Sequence, residues 1–345
     1  LKTKKKIYTT SIFILLFLAF FSQATYSQDI HFSQFNFSPL NLNPAKTAYF
    51  EGQHRFAANH KNQWMSVTIP YMTFSASWDA GIIKRKQKND ILGLGVLAVK
   101  DQAGDSKFGT TQINISLSYI KALDNRNKHI LSYGIMGGLS QRSIDYSALY
   151  FDSQFNGLYY DADLPHNENF GKTSFLYYDI STGLEYNYVQ NEYSEFCLGA
   201  SLWHLNRAKQ SLNEDNSVTM DPKLLLYGNF SYLHNIKHYI KPAFYFARQG
   251  PHTEFLLGGH YQLILNHSKI NYNSFNAGLF YRNKDAAILM AGVDYQAFKI
   301  NFSYDVNLSK LRPASQFRGG YEFSLIYIIQ KQKPSIHKEI PCPIF

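Results

Sequence analysis

Cysteine is nearly absent from the chain: Cys197 and Cys342 are the only two in 345 residues. One pair between them is compatible with an oxidising compartment, but two distant thiols are neither a disulfide scaffold nor a metal site on their own. Charge is sparse as well, at 17% Asp, Glu, Lys and Arg. Acidic and basic residues are interspersed, so the net +9 forms no basic block of the kind nucleic-acid binding needs. Part of that charge belongs to Lys2, Lys4, Lys5 and Lys6 at the start of the chain. After the first two dozen residues no apolar run approaches the roughly 20 residues of a membrane-crossing helix, which argues against a multi-span helical protein.

The motifs of catalysis are missing too. There is no GxSxG, HExxH, phosphate-binding loop or dinucleotide fingerprint, and no nucleophile placed beside a base. The twelve histidines are scattered. His234 and His238 are four apart, but their flanks read as a hairpin, where that spacing brings no two rings to one metal. Neither an enzyme nor a cofactor is expected.

What the chain has is aromatics, 16% of the whole with 26 Tyr and 27 Phe, and a period of two. Phe298, Ile300, Phe302 and Tyr304 alternate with Lys299, Asn301, Ser303 and Asp305. A strand turns successive side chains to opposite faces, so this reads as one apolar and one polar face. Tyr321, Phe323, Leu325, Tyr327 and Ile329 repeat the period, and Ile113, Ile115, Leu117 and Tyr119 alternate with Gln112, Asn114, Ser116 and Ser118. Such alternation hides apolarity from the average, and the mean hydropathy is only −0.28. Residues 1–27, with basic residues, an apolar core from Ile12 to Phe21 and small or polar residues up to Ser27, have the order of a secretory signal peptide. The expectation is an all-β protein: a transmembrane antiparallel β-barrel of about 14 strands, preceded by a cleaved signal peptide and a short N-terminal segment.

Residues 28–54 lack a long period, and Ser38-Pro39 and Asn43-Pro44 break any regular element. They are expected to form a periplasmic or plug segment, because Phe32, Phe35, Phe37 and Leu40 need cover. The barrel is placed at 55–330, with strands at 54–67, 71–82, 91–100, 111–120, 130–141, 173–190, 194–205, 224–236, 240–249, 252–264, 270–282, 286–296, 298–305 and 316–330. The connection 142–170 is predicted to be an outward-facing loop or lid, and 206–222 is another long loop. The aromatics of the first, including Tyr146, Tyr150, Phe151, Tyr159 and Tyr160, are either partner anchors or packing for the loop. Asp79, Glu185, Asp294, Asp305, Glu322, Lys299 and Arg318 fall on strands, where they line the lumen as ion pairs or contact a substrate. The proline-rich tail, 331–345, is not read as a strand.

Several blocks together resemble the PorP/SprF family of Bacteroidetes outer-membrane proteins. The opening DIHFSQFNFSPLNLNPA carries the family's pattern at Gln34, Pro39, Asn43, Pro44 and Ala45. Trp64, Pro70 and Asp79 match the next block, and Asp101 and Gly104 follow a glycine-rich strand. Arg282 and Asp285 match a recurring turn, Tyr304, Asp305, Gly320, Tyr321 and Glu322 the terminal hairpin, and Cys342, Pro343 and Phe345 the terminal Cys-Pro-x-Phe. Lys61 departs from the pattern, which commonly has arginine ahead of the tryptophan. The resemblance implies a non-enzymatic barrel of the type IX secretion or gliding machinery. Its implied partners are components of that machinery, the C-terminal domain of a secreted adhesin, and outer-membrane lipid. These motif positions are the candidate partner contacts. A channel for small solutes is the competing expectation.

Overall fold

The computed structural model describes residues 29–330, apart from 66–68, 86–89, 169–170, 192, 214, 216, 268–271 and 311. The leader and the tail bearing Cys342, Pro343 and Phe345 lie outside the described residues. Fourteen antiparallel strands close into one barrel, each hydrogen-bonded to its neighbours in sequence and β1 to β14. They are β1 (His54–Gln63), β2 (Tyr71–Arg85), β3 (Asp90–Ala103), β4 (Phe108–Ala122), β5 (His129–Ser143), β6 (Ser174–Asn191) and β7 (Ser194–Trp203). The second half adds β8 (Lys223–Asn235), β9 (His238–Gln249), β10 (His252–His267), β11 (Tyr272–Arg282), β12 (Ala286–Tyr295), β13 (Phe298–Asn307) and β14 (Arg318–Ile329). Closure leaves no free sheet edge around most of the wall, which is what a sheet immersed in hydrocarbon requires.

The strand count and the order of elements agree with the alternation in the sequence; several strands, such as β3, β4 and β5, run a few residues longer than their apolar alternation, and others stop early where the backbone turns left-handed. β1 stops at Gln63, not at residue 67, because Trp64 has φ 66°. β7 stops at Trp203, not at 205, because His204 has φ 59°. No periodicity announces such a turn. Among the described residues no helix is long and apolar enough to cross a membrane, which says nothing of crossing by strands.

Alternation sets the two faces. Ile113, Ile115 and Leu117 of β4 point outward and are exposed, while Asn114, Ser116 and Ser118 point inward and are buried. Phe298, Ile300, Phe302 and Tyr304 of β13 likewise point out, and Asn301, Ser303 and Asp305 point in. Connections at one end are long, at 144–173, 204–222 and 308–317, and those at the other are short, as at 236–237 and 296–297. Outer-membrane barrels carry long loops outside and short turns in the periplasm, so the long-loop end is the outer one.

The interior is filled. Residues 29–53 run down the lumen from the outer rim to the start of β1 as short turns: a 3-10 turn at Phe35–Phe37, one helical turn at Pro39–Leu42 and a second 3-10 turn at Pro44–Lys46. The segment's apolar side chains find their cover on the wall. Phe35 and Leu42 join Leu225, Tyr227, Tyr245, Leu256, Phe280 and Ile288 in one buried cluster, and Leu40 joins Leu97, Val99, Met136 and Trp203 in another.

An arginine at Phe302, midway along β13 on the outer face, is expected to cost about 2–4 kcal/mol of membrane stability. The check is the heat-modifiable fraction of Phe302→Arg refolded into lipid vesicles. A yield equal to wild type would refute the outward assignment.

Candidate functional site: the plugged lumen and its outer rim

A segment threaded through a barrel brings backbone amides and carbonyls that no ladder can satisfy, so the wall must supply partners. The Glu322 carboxylate accepts the Ser33 amide at 2.8 Å and the Gln34 amide at 3.0 Å. The Gln34 side chain donates to Ser303 Oγ at 3.0 Å and to the Glu322 carbonyl at 2.8 Å, and accepts from Asn301 at 2.9 Å. Arg282 lies behind this contact. Its guanidinium is 3.0 Å from Asp305, 3.0 Å from Glu254 and 2.9 Å from Asp285, and it also donates to Ser33 Oγ. Lys61 is buried and donates to the His31 carbonyl at 2.9 Å. One carbonyl needs one donor, so lysine serves at this position where a bidentate arginine is not required.

The Asn-Pro-Ala turn forms the second anchor. Asn43 Nδ2 donates to the carbonyls of Leu184 (2.9 Å) and Ala200 (3.2 Å) and to Tyr227 Oη (3.1 Å), while its Oδ1 accepts the Ala45 amide at 2.8 Å. Pro44 opens the 3-10 turn, where its missing N–H is not needed. The wall approaches so closely that side chains are excluded opposite the turn. A Cβ on Gly134 would lie 2.3 Å from the Pro44 carbonyl carbon, and one on Gly183 1.9 Å from Asn43 Oδ1. Below the turn Lys46 pairs with Glu185 at 2.7 Å. Asp79 accepts the Ala48 amide at 2.7 Å and binds Arg55 through both oxygens at 2.9 and 2.7 Å.

The third anchor is at the outer rim. Asp29 lies 3.2 Å from both Lys223 and His204, and His204 Nδ1 is 2.9 Å from Asp179. Burial of the imidazole lowers its pKa, but the flanking carboxylates of Asp29 and Asp179 more than offset this and raise it to about 9. Burial raises the pKa of Asp29, yet Lys223 and His204 together hold it well below the usual carboxylate range.

Of the positions the sequence singles out, Gln34, Asn43, Pro44, Ala45, Asp79, Arg282, Asp305 and Glu322 therefore meet inside the barrel, all buried. Trp64, Asp285 and Gly320 gather around a small recess at the outer rim. Asp101 lines an outward vestibule and accepts from Thr73 at 2.6 Å, and Gly104 turns the β3–β4 connection with φ 66°. Tyr304 and Tyr321 face each other across β13 and β14 on the outer surface. Glu185 and Asp294 also point inward, whereas Lys299 and Arg318 fall at exposed strand ends. Sequence reasoning did not find Ser33, Lys46, Arg55, Glu254 or His204, because each owes its place to a residue 24 or more positions away.

This architecture defines an outer-membrane β-barrel closed by its own N-terminal segment. The chain belongs to the PorP/SprF family: the model of the type IX secretion system membrane protein PorP/SprF matches residues 24–327. It is thus an integral outer-membrane component of that system rather than an enzyme. Among solved structures it is similar to the toluene transporter TbuX of Ralstonia pickettii, with a TM-score of 0.52 and 11% identity over 84% of this chain and 92% of that one. It is also similar to a FadL homologue of Pseudomonas aeruginosa, with a TM-score of 0.48 and 8% identity over 83% and 92%. At such identities the likeness is one of fold. No curated protein sequence matches the chain.

Two outcomes follow from the anchors. Asn43→Ala leaves two wall carbonyls and a tyrosine hydroxyl without their donor, at roughly 1–3 kcal/mol; the segment loosens, and protease digestion of the purified barrel cuts within 29–53 where the wild type resists. The His204 contribution has a defined sign: a pKa raised from 6.5 to about 9 stabilises fully below pH 6.5 and is lost as the pH rises through 9. Between those limits the denaturant stability of the wild type should fall by on the order of 3 kcal/mol relative to His204→Gln, read from urea midpoints in detergent.

Proposed function

We propose that this barrel serves the type IX system as a plugged platform, recognising the C-terminal domain of a secreted adhesin at its outer mouth and so assisting export or surface retention. The observation that carries this reading is the occupied lumen. From Asp29 to Ala48 the segment is tied to the wall at successive levels. Solute passage requires those ties to break; docking requires none to change. Above the plug is a vestibule of about 570 Å³, floored by Asp29 and Ile30 and walled in part by Asp101, Thr110 and Arg142. The 144–173 loop holds Tyr150, Leu158 and Tyr159 well exposed. Exposed aromatics of this kind supply the buried anchors of protein interfaces. In this reading Trp64, Asp285, Asp101 and Gly104, at or beside the same rim, are the motif positions that meet a partner, and the buried ones hold the plug.

The test is crosslinking and affinity purification from native outer membranes, with bilayer recordings of the same preparation. The expected result is recovery of a secreted adhesin or secretion component together with a silent barrel. Solute-dependent conductance without any such partner would overturn the proposal.

A further inference from the structure

The vestibule above the plug holds two opposite charges that the barrel leaves unpaired. Its charged lining is Asp29, Asp101, Arg142 and Asp221. Asp29 is taken by Lys223 and His204, and Asp101 accepts the Thr73 hydroxyl at 2.6 Å. Arg142 reaches in from the outer end of β5. Its Nε donates to Thr110 Oγ1 at 3.3 Å and its guanidinium lies over the Phe108 ring, 5.5 Å from the centroid. These contacts fix the group, and among the described residues no carboxylate pairs with it. Asp221 stands on another wall, just ahead of β8, with β6 and β7 between it and β5. Its carbonyl accepts from the Gln249 side chain at 3.1 Å. Its carboxylate packs against Gly250, where φ is 52° and a Cβ would lie 2.4 Å from Oδ2, so glycine is what leaves room for it. Among the described residues no donor is hydrogen-bonded to that carboxylate.

Both side chains are half-buried, and a charge drawn partly out of water is costly until something pairs with it. The guanidinium presents parallel N–H donors that match a carboxylate. A ligand with negative charge alone would meet Arg142 but also the carboxylates of Asp101 and Asp221; one with positive charge alone would meet Asp221 but be repelled by Arg142. The lining therefore selects a ligand that carries both signs apart from each other. Ile30, Tyr71, Phe108 and Met220 supply apolar surface in the same cavity, whose 570 Å³ falls in the range of built ligand sites. The plug closes the floor. An internal stretch of a partner would have to enter and double back, whereas a chain end need only enter.

We propose that the vestibule accepts the carboxyl-terminal end of a polypeptide whose last residue is basic, with the terminal carboxylate on Arg142 and the basic side chain on Asp221. The inference rests on the protein-recognition reading above and gives it a partner chemistry: the free chain end of a secreted protein.

The probe is a hexapeptide of glycine and serine ending in valine-lysine, labelled with fluorescein at its N-terminus, titrated into the full chain in non-ionic detergent and followed by anisotropy. Saturable binding is expected, weakened at least tenfold when the terminal carboxylate is amidated and at least tenfold when the last lysine is replaced by norleucine. Those two arms change the probe alone, so they are independent of how any variant folds. Each contact is then assigned by a loss of discrimination: Arg142→Gln should bind acid and amide alike, and Asp221→Asn should bind the lysine and norleucine peptides alike, with heat-modifiable migration checking both variants. The inference is overturned by an absence of saturable binding to the wild type, by equal binding of acid and amide, or by variants that keep the wild-type preferences. Displacement of the probe by phosphatidylethanolamine micelles as readily as by unlabelled peptide would also overturn it, making the vestibule a headgroup site. If the barrel carrying both substitutions still copurifies its adhesin, the vestibule contact is refuted while the platform reading stands.

Discussion

A carboxylate turned inward from a membrane barrel must meet a cation or a donor, since burying it unpaired is costly. Most of this structure follows from how that demand is met. Glu322, Asp79 and Glu185 sit on three different strands, and each gives at least one oxygen to the N-terminal segment: to the amides of Ser33 and Gln34, to the amide of Ala48, and to Lys46. The segment, in turn, has no ladder to satisfy its backbone. Barrel and plug are each other's missing hydrogen-bond partners, and neither is electrostatically complete alone.

That dependence shapes what the molecule can do. Buried ion pairs are a weak source of net stability, but removing one member is expensive. The network therefore specifies a seated plug more than it strengthens the barrel. Large side chains on the segment reinforce this, because Phe35, Leu40 and Leu42 pack into apolar clusters on opposite parts of the wall. A lumen filled in this way directs function to the outer surface, where the long loops and the vestibule are found. The fold it shares with the toluene transporter TbuX thus accommodates a role in secretion, as expected when function resides in sites rather than in folds.

How much could be read in advance varies by residue. The outward row of β13 and the inward row of β4 were legible because a strand alternates by geometry, without reference to any other part of the chain. The need to cover Phe35 and Leu40 was legible as well, from their apolarity in an irregular segment. Asn43, Pro44 and Ala45 were recognisable as a motif but not as an anchor, since their partners at Leu184, Ala200 and Tyr227 lie 141 to 184 residues away. The family pattern around Arg282, Asp305 and Glu322 was visible as three separate blocks. That they converge on Ser33 and Gln34 was not.

The amino-acid order alone therefore pointed to the class of protein: alternation needs only neighbours along one strand, and it recurs through a chain whose first residues have the order of a secretory signal. The tertiary structure decided what occupies the lumen and which charges face one another. Those depend on strand register and stagger around a closed cylinder, quantities that arise only when distant parts of the chain meet.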